Sequence, residues 1–354
     1  MTDASKLTLR RISYDPARWR QIFESHPDSE VYHSPEWLAY LNASQGAEPV
    51  VAEVHDHGRL VGHFVGAIVK RYGLRILGSP LSGWGTQVMG FLLDEGVNPR
   101  HAADALPAFA FRTLGCAHLE LNDRKLTDEN MTGSGYTMRS DHTYLIDLED
   151  SEDAILARMH SRTRTYVRRA MRNGLEAELV TSVAFADEFY EQLQDVFASS
   201  QLVPTYGVER VRLLIDHLLP SGQVLLVRVR DKDARSLATA VIIASNKRAT
   251  MWGAAFPRAY TSLHPNEILQ WEIMRVLKAR GIAKYDLSGP GSYKGKYGGP
   301  QVQNHMFYRS RIAALDWGRE AVRTAFYCRQ RVLGRIKART ERVSASGAEL
   351  DDAE

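Results

Sequence analysis

Segments that resemble strands and helices alternate along this chain, and their order is similar in its two halves. Each half offers a strand, helices, a run of strands, a further helix and a further strand. The clearest run is QVLLVRVRD, SLATAVIIAS and RATMWGAA, which is followed by the helix PNEILQWEIMRVLKARG and the short strand AKYDLSG. Runs of β-branched residues with period-two alternation are typical of strands, and apolar residues three and four apart indicate helices. The pattern predicts an α/β fold with mixed sheets, built from two tandem units.

The boundary between the units is predicted near residue 140, in the small and polar stretch TGSGYTMRSD. We therefore expect domains at residues 1–140 and 141–312. A helix-like, basic extension follows at 313–342, and the polar residues 343–354 are expected to be a disordered tail.

Composition narrows the class of protein. The 354 residues are 44% hydrophobic and 25% charged, with a net charge of +3, which is typical of a globular domain. Two cysteines, Cys116 and Cys328, exclude a disulfide framework. No apolar run approaches the length of a membrane span, and the N-terminus lacks the core of a signal peptide, so we expect a cytoplasmic protein. His118 and Glu120 alternate on a strand without further ligands at metal spacing, so no metal site is predicted.

A glycine-rich loop with two lysines follows the strand that ends at Asp286. Glycine lets a backbone approach a ligand closely, and Lys294 and Lys296 add positive charge. In an extended loop, alternate residues face opposite sides, so Tyr293 is expected on one side and both lysines on the other. Such a loop suits an anion or an acyl oxygen, although a solvated hairpin would have the same composition.

The segment from Ser151 to Gly174 is predicted to be one long helix rich in arginine. Its spacing places Arg158, Arg162, Arg169 and Arg172 on one face. This face could bind RNA phosphates or an anionic acceptor. Alternatively, it is a solvated face whose arginines pair with acidic residues, namely Asp187, Glu188 and Glu191.

Two further segments present groups that could bind a ligand. The start of the helix at Pro265 has free backbone N–H groups that suit phosphate or a thioester carbonyl, although taken alone it is only a helix start. The loop LGSPLSGWGTQVMGF places Trp84 among glycines near Ser79. The Trp84 ring could stack on a sugar or peptide, or pack as part of a buried turn.

Four of these segments together resemble a known family. HSPEWLAYL, RTYVRRAMRNGLEAELV, NEILQWEIMRVLKARGIAKYDLSG and YKGKYGG occur in the order and spacing of the Fem-like branch of the GNAT superfamily, over about residues 5–310. The resemblance implies two tandem GNAT-like domains and an acyltransferase that acts on an amine. The chain departs from simple GNAT enzymes because its loop FPRAYTSLHPNE contains no glycine, where those enzymes carry a glycine turn for the coenzyme A pyrophosphate. Acyl-CoA and aminoacyl-tRNA therefore both remain as donors, with no metal required.

The resemblance also implies roles for individual residues. The backbone of Trp252, Gly253 and Ala254 would polarise the acyl carbonyl, and Lys294 would neutralise developing charge. Asp286 or Tyr293 would accept the amine proton, with Asp286 preferred. The remaining expected contacts are Asn266 and Lys296 to the donor, and Trp84, Ser79 and Arg169 to the acceptor.

The acceptor is expected to be a small or lipid-linked amine of the cell envelope, a polysaccharide or a peptide. A different reading is a non-catalytic module, in which residues 315–342 lie on anionic lipid at the inner face of the membrane or on a partner. That segment places apolar residues among its arginines, namely Leu315, Trp317, Val322, Phe326, Leu333 and Ile336.

Overall fold

The computed structural model describes residues 7–312, 314–319, 321, 324–325, 328–330 and 332. It has the expected mixed α/β architecture, with one continuous sheet flanked by helices. The strands are β1 (Thr8–Ile12), β2 (Glu48–Asp56), β3 (Arg59–Arg71), β4 (Leu74–Ser79), β5 (Gly90–Leu93), β6 (His118–Leu121), β7 (Thr137–Asp147), β8 (Glu176–Val180), β9 (Val224–Arg230), β10 (Ser236–Ser245), β11 (Arg248–Ala255), β12 (Lys284–Asp286) and β13 (Gln301–Ser310). The helices are α1 (Pro16–Ser25), α2 (Pro35–Gln45), α3 (Pro99–Ala108), α4 (Asp128–Met131), α5 (Glu152–Arg158), α6 (Ser161–Arg172), α7 (Phe185–Ala198), α8 (Val208–Leu218) and α9 (Pro265–Ala279).

The sheet joins both halves of the chain through its last strand. The strand order is β1-β2-β3-β4-β6-β13-β7-β12-β11-β10-β9-β8, with β5 paired to β3. β13 is antiparallel to both β6 and β7, so it lies between strands that come much earlier in the sequence. This strand is absent from the sequence prediction. The predicted boundary near residue 140 lies within β7, and the division at that point remains a proposal.

The arginine-rich segment is two helices, so the prediction of one long helix is wrong. α5 ends before Met159, whose backbone is extended, and α6 begins at Ser161. The backbone N–H of His160 donates to the carbonyl of Lys296 at 3.0 Å, in the glycine-rich loop. This hydrogen bond to a residue distant in sequence therefore takes the place of the one that the His160 N–H would donate within a continuous helix. The predicted end of the segment is confirmed, because α6 stops at Asn173 and Gly174 follows with φ +75°.

One of the three buried clusters of the core is shared by the two halves. Trp37 and Leu41 of α2 belong to the same cluster as Phe189 of α7 and Leu214 of α8. Helix α2 begins with Pro35 after Ser34, whose hydroxyl both accepts from the N–H of Trp37 and donates to a buried glutamine of the second half at 2.9 Å. The predicted cap and helix start are thus confirmed, and they contribute to the contact between halves.

The predicted basic extension is described only in part, and its longest continuous described stretch is at its start. Residues 314–319 are helical, and Arg319 pairs with the buried carboxylate of Glu120 while its guanidinium lies over the Tyr308 ring at 4.4 Å. Most of its other predicted basic and apolar residues, and the tail at 343–354, lie outside the described residues. Within the described ranges, none of the helices combines the length and the apolar composition needed to cross a membrane.

Candidate functional site

The sheet opens between β11 and β12. The two strands pair in parallel only from Arg248 opposite Lys284 to Thr250 opposite Asp286, where β12 ends. In the described chain, no strand pairs with that edge of residues 251–255. Backbone groups on this edge are therefore available to a ligand, because they are not consumed by a sheet ladder.

A β-bulge on the opposite edge of β11, where it pairs with β10, further disrupts the hydrogen-bond ladder of this strand. Val241 of β10 faces Gly253, whereas the next residue, Ile242, faces Met251. Trp252 is therefore an extra residue in β11, and the ladder is disrupted beside it. The bulge and the open edge fall on the same stretch, from Trp252 to Ala254, which the sequence predicted to polarise a carbonyl.

A pocket of about 210 Å³ lies against this stretch, and we call it the β11 pocket. It is lined by Met251, Trp252, Gly253, Ala254, Phe256, Asn266, Gln270, Leu287, Ser288, Tyr293, Lys294 and Tyr297. Six of the predicted site residues line it, namely Trp252, Gly253, Ala254, Asn266, Tyr293 and Lys294. Asp286 and Lys296 are not in its lining.

Lys294 is a buried wall of the β11 pocket. Residues Ser292–Tyr297 form a 3-10 turn rather than the expected extended loop, so Lys294 and Lys296 do not share a side. The Lys294 side chain is buried, and its Nζ donates to the carbonyls of Ser288 and Gly289. Burial lowers the pKa of the Lys294 ammonium below its ordinary value, and the nearby carboxylate of Asp286 opposes that shift.

Lys296 and Asn266 stabilise the other side of the turn. Lys296 Nζ donates to a carboxylate oxygen of Glu267 at 2.7 Å and lies over the Tyr297 ring at 5.1 Å. Asn266 Nδ2 donates to the Tyr297 hydroxyl at 2.9 Å. The start of α9 is therefore bonded to the turn Ser292–Tyr297, which we call the lysine turn.

Asp286 does not face the pocket, so the structure corrects the preference for it as the proton acceptor. Only 2% of Asp286 is exposed. Its Oδ1 accepts from the Thr143 hydroxyl at 2.5 Å and from the backbone N–H of Ser288 at 2.8 Å. Its Oδ2 lies 4.0 Å from the guanidinium of Arg124, which is bonded to buried Glu30. These contacts hold the turn whose carbonyl meets Lys294.

The Glu30–Arg124–Asp286 series was not anticipated from the sequence. Its members lie in different elements, and no spacing in the chain connects them.

Tyr293 lines the pocket and is 50% exposed, so it forms part of the pocket rim. Partial burial raises the pKa of its phenol above the ordinary value. The phenol is therefore protonated near neutral pH, which makes it a proton donor rather than a base.

The arginine face is only partly as predicted. Arg158 belongs to α5, where it pairs with Asp150 and donates to the Asp147 carbonyl, so it is separate from the other three arginines. Two of the acidic residues considered as alternative partners pair elsewhere, Asp187 with Arg212 and Glu188 with Arg228.

The exposed arginines of α6 remain available. Among the described residues, Arg168, Arg169 and Arg172 form no ion pair. Arg162 donates to the Tyr166 hydroxyl at 2.5 Å, and the Tyr166 ring stacks on His264 at 3.8 Å. The face of α6 thus approaches the start of α9 beside the lysine turn.

Of the two alternatives for the Trp84 ring, the structure shows the buried turn. Trp84 is 2% exposed, and an added Cβ on Gly78 would lie 2.8 Å from its ring. Ser79 is also buried, where its hydroxyl donates to the Val65 carbonyl at 2.6 Å and accepts from the N–H of Gly90 at 2.8 Å. These contacts hold the loop in its shape and leave neither side chain open to an acceptor.

The same loop nevertheless reaches the pocket through a residue that sequence reasoning missed. A Cβ added at Gly85 would lie 2.9 Å from the indole nitrogen of Trp252. Arg210 of α8 positions this loop, since it donates to the Gly83 carbonyl at 3.1 Å and to the Tyr40 hydroxyl at 3.0 Å. The first half of the chain therefore contributes to the wall that carries the bulge.

A wider hollow of about 910 Å³ lies at the start of the C-terminal helix, between Thr137, Tyr308 and Trp317. It contains none of the predicted site residues. In the described part of the chain, no group of three or more His, Cys, Asp or Glu residues is arranged to hold a metal ion.

Comparison with known proteins agrees with this geometry. Residues 161–297 match the family described as the acetyltransferase (GNAT) domain, a range that contains β11, α9 and the lysine turn. This part of the chain is similar to GNAT acetyltransferase domains. The expected class of enzyme, an acyltransferase, is thereby confirmed. No curated protein sequence matches the chain.

Solved structures extend the likeness to both halves. FemX is 14% identical, with a TM-score of 0.69 over 86% of this chain and 98% of its own. A tandem GNAT protein from the clavulanic acid biosynthesis pathway is 12% identical, with a TM-score of 0.51 over 86% and 98%. The structure of L-PGS from Bacillus licheniformis is 11% identical, with a TM-score of 0.50 over 84% and 93%. These likenesses confirm the predicted Fem-like, tandem GNAT fold.

Proposed function

We propose that this protein transfers an acyl group from an activated donor to the amine of an acceptor in the β11 pocket. The observation that carries the proposal is the meeting, in one pocket, of the bulged open edge of β11 and the buried ammonium of Lys294. Backbone N–H groups and a cation placed where negative charge develops stabilise acyl-transfer transition states.

The amine attacks the carbonyl carbon, and the carbonyl oxygen gains negative charge. N–H groups from Trp252 to Ala254 donate to that oxygen, and Lys294 supplies positive charge nearby. The carbonyl then re-forms as the bond from its carbon to the thiol or ester oxygen of the donor breaks. The amine loses its proton to solvent at the rim, and the Tyr293 phenol donates a proton to the leaving group and regains one from solvent. Fixing donor and acceptor in one pocket is the main source of rate enhancement. Asp286 acts by holding the turn of Ser288 and hence the position of Lys294.

The favoured donor is an acyl-CoA, which supplies an activated thioester and a phosphate-bearing carrier. Such a carrier suits the backbone N–H groups at the start of α9. The side chains of Asn266, Lys296 and the nearby Arg169 could contribute further contacts to it. The loop before α9 forms a 3-10 turn over Arg258–Leu263 in place of a glycine turn. An aminoacyl-tRNA is the second candidate, and it is favoured by the arginines of α6 that have no acidic partner.

The proposed acceptor is an amine of the cell envelope, of a polysaccharide or of a peptide, either small or lipid-linked. The same proposal includes a cytoplasmic location and a peripheral contact with the inner face of an anionic membrane. Trp317 is 82% exposed at the start of the extension and would be the first apolar contact. Loss of sedimentation with anionic vesicles in Trp317→Ala would support this contact, and unchanged sedimentation would contradict it.

The test of the reaction is thiol release from acetyl-CoA in the presence of a panel of amines. Lys294→Ala should reduce the rate at least about tenfold, because it removes a charge next to the developing oxyanion. Lys232→Ala is the control, since Lys232 is exposed and is not part of the pocket lining. An unchanged rate in Lys294→Ala, with native circular dichroism, would reject the role of Lys294.

The two donors are distinguished by binding. A thermal shift with free coenzyme A supports the first donor, because a ligand that binds only the folded state raises its stability. Retention on tRNA that weakens steeply with salt, and that is lost when Arg168, Arg169 and Arg172 are replaced by glutamine, supports the second.

A further inference from the structure

A buried glutamine in the β11 pocket has no role in the reaction described above. Gln270 lies on α9, is 2% exposed and lines the pocket. Its Oε1 accepts from the Tyr285 hydroxyl at 3.1 Å. Among the described residues, its Nε2 donates only to the Met251 sulfur at 3.4 Å, and a thioether is a weak acceptor. A buried donor without a good acceptor is destabilising, so a ligand that accepts from this amide would remove that cost.

Asn266 presents the complementary group one helical turn earlier. Its Nδ2 is bonded to the Tyr297 hydroxyl, and its Oδ1 accepts no hydrogen bond from the described residues. Residues four apart on a helix lie on the same face, and both residues line the β11 pocket. The pocket wall therefore offers one free donor and one free acceptor side by side.

The charges around the pocket indicate which group could use this pair. Lys294 is the one charged side chain in the pocket lining. The carboxylate of Glu267 is paired with Lys296, and Asp286 faces away from the pocket. A cationic substituent would meet the Lys294 ammonium, and no carboxylate in the pocket lining could bind that substituent. A hydroxyl can both accept from Gln270 and donate to Asn266, which a methyl or an ammonium cannot do.

We propose that Gln270, together with Asn266, is a specificity-determining residue that recognises a hydroxyl oxygen on the transferred acyl group. The preferred donor is then a short hydroxyacyl derivative rather than a hydrocarbon or aminoacyl derivative. This inference rests on the proposed function, because it places the acyl group in the β11 pocket.

Three acyl groups of nearly equal size test the hydroxyacyl inference, namely glycolyl, propionyl and glycyl. At the same position, they carry a hydroxyl, a methyl and an ammonium, respectively. Each is prepared as a coenzyme A thioester and as a 3′-amide of 3′-amino-3′-deoxyadenosine, which mimics the end of an aminoacyl-tRNA. Binding to the full-length protein is measured by calorimetry. On whichever carrier binds, glycolyl should bind at least about tenfold more tightly than propionyl, which corresponds to about 1.4 kcal/mol. Glycyl should also bind more weakly than glycolyl.

Gln270→Met keeps the length of the side chain and removes the amide, so the ratio of glycolyl to propionyl affinity should fall toward one. Gln192→Met is the matched control. Gln192 is also buried, but its amide is satisfied by Thr239 and Ser236, and it does not line the pocket. The control should lose stability while keeping the wild-type ratio.

The outcomes separate the two proposals. Equal binding of the three acyl groups, or tighter binding of glycyl, overturns the hydroxyacyl inference and leaves acyl transfer intact. A preference for glycolyl that survives in Gln270→Met overturns the assignment to Gln270. If no derivative binds on either carrier, both the inference and the proposed function fail. Should Gln270→Met not fold, the wild-type ratio decides the hydroxyacyl preference.

Discussion

At the scale of single residues, the pocket depends on how Lys294 is held rather than on its presence alone. Its ammonium is bound to the Ser288 carbonyl, and the same turn is fixed by Asp286 through the Ser288 N–H. Asp286 also supplies a negative charge that favours the protonated lysine, against the effect of burial. One buried carboxylate therefore sets both the position and the charge of Lys294.

This arrangement predicts the alkaline limb of the pH–rate profile. The proposed reaction requires the protonated Lys294, so kcat/KM should fall as pH rises through a pKa that lies below the ordinary lysine value. Asp286→Asn removes the charge that favours the ammonium and keeps an oxygen for the Ser288 N–H, so the limb should move to lower pH. Lys294→Arg should move it to higher pH, because a guanidinium stays charged. An alkaline limb that is identical in all three proteins would contradict this assignment.

Secondary-structure elements show where sequence periodicity succeeds and where it fails. The strands β9, β10 and β11 and the helix α9 follow their predicted segments closely, because local apolar patterns and caps decide them. The break between α5 and α6 has no local signal, since it is made by a hydrogen bond to the carbonyl of Lys296. The turn at Lys294 was predicted as extended for the same reason: its shape depends on contacts with distant residues.

At the scale of elements, the prediction concerns Gly298, because its lack of a side chain lets the lysine turn approach the end of α5. It has φ +86°, and an added Cβ would lie 2.6 Å from the Arg158 carbonyl oxygen. Gly281 has a similar φ of +76° with no atom within 4 Å, so it is the matched control. Gly281→Ala should cost about 1 kcal/mol from backbone strain. Gly298→Ala should cost about 3 kcal/mol or more and lower activity, because it displaces the turn. Equal losses in chemical unfolding would contradict the proposed close approach.

At the scale of the whole molecule, the two halves are joined by a common core and a common sheet. The sequence indicates two similar units, and the tandem GNAT likeness agrees with this. The predicted residues on β11, α9 and the lysine turn line one pocket, and they could be named from the sequence because they lie in one half. The contributions of Gly85 and Arg124 could not be identified from the sequence, since they depend on how the two halves of the chain pack against each other. The burial of Trp84 was open for the same reason.

A shared core predicts that a single substitution loosens both halves. Leu214 of α8 is fully buried in the cluster that also contains residues of α2. Leu214→Ala should reduce the free energy of unfolding by about 2–5 kcal/mol. Hydrogen exchange followed by mass spectrometry should then show faster exchange in β3 as well as in β10. Leu202→Ala is the control, because Leu202 is 37% exposed. Faster exchange confined to the second half would show that the halves unfold separately.

The position of β13 has a consequence for biosynthesis. One edge of β6 is covered only when residues 301–310 add to it, although β6 itself is made almost two hundred residues earlier. During translation, the growing polypeptide therefore carries an uncovered strand in its middle, and such edges readily pair with other chains. Ribosome-bound intermediates of this protein should need protection from one another until the last strand emerges.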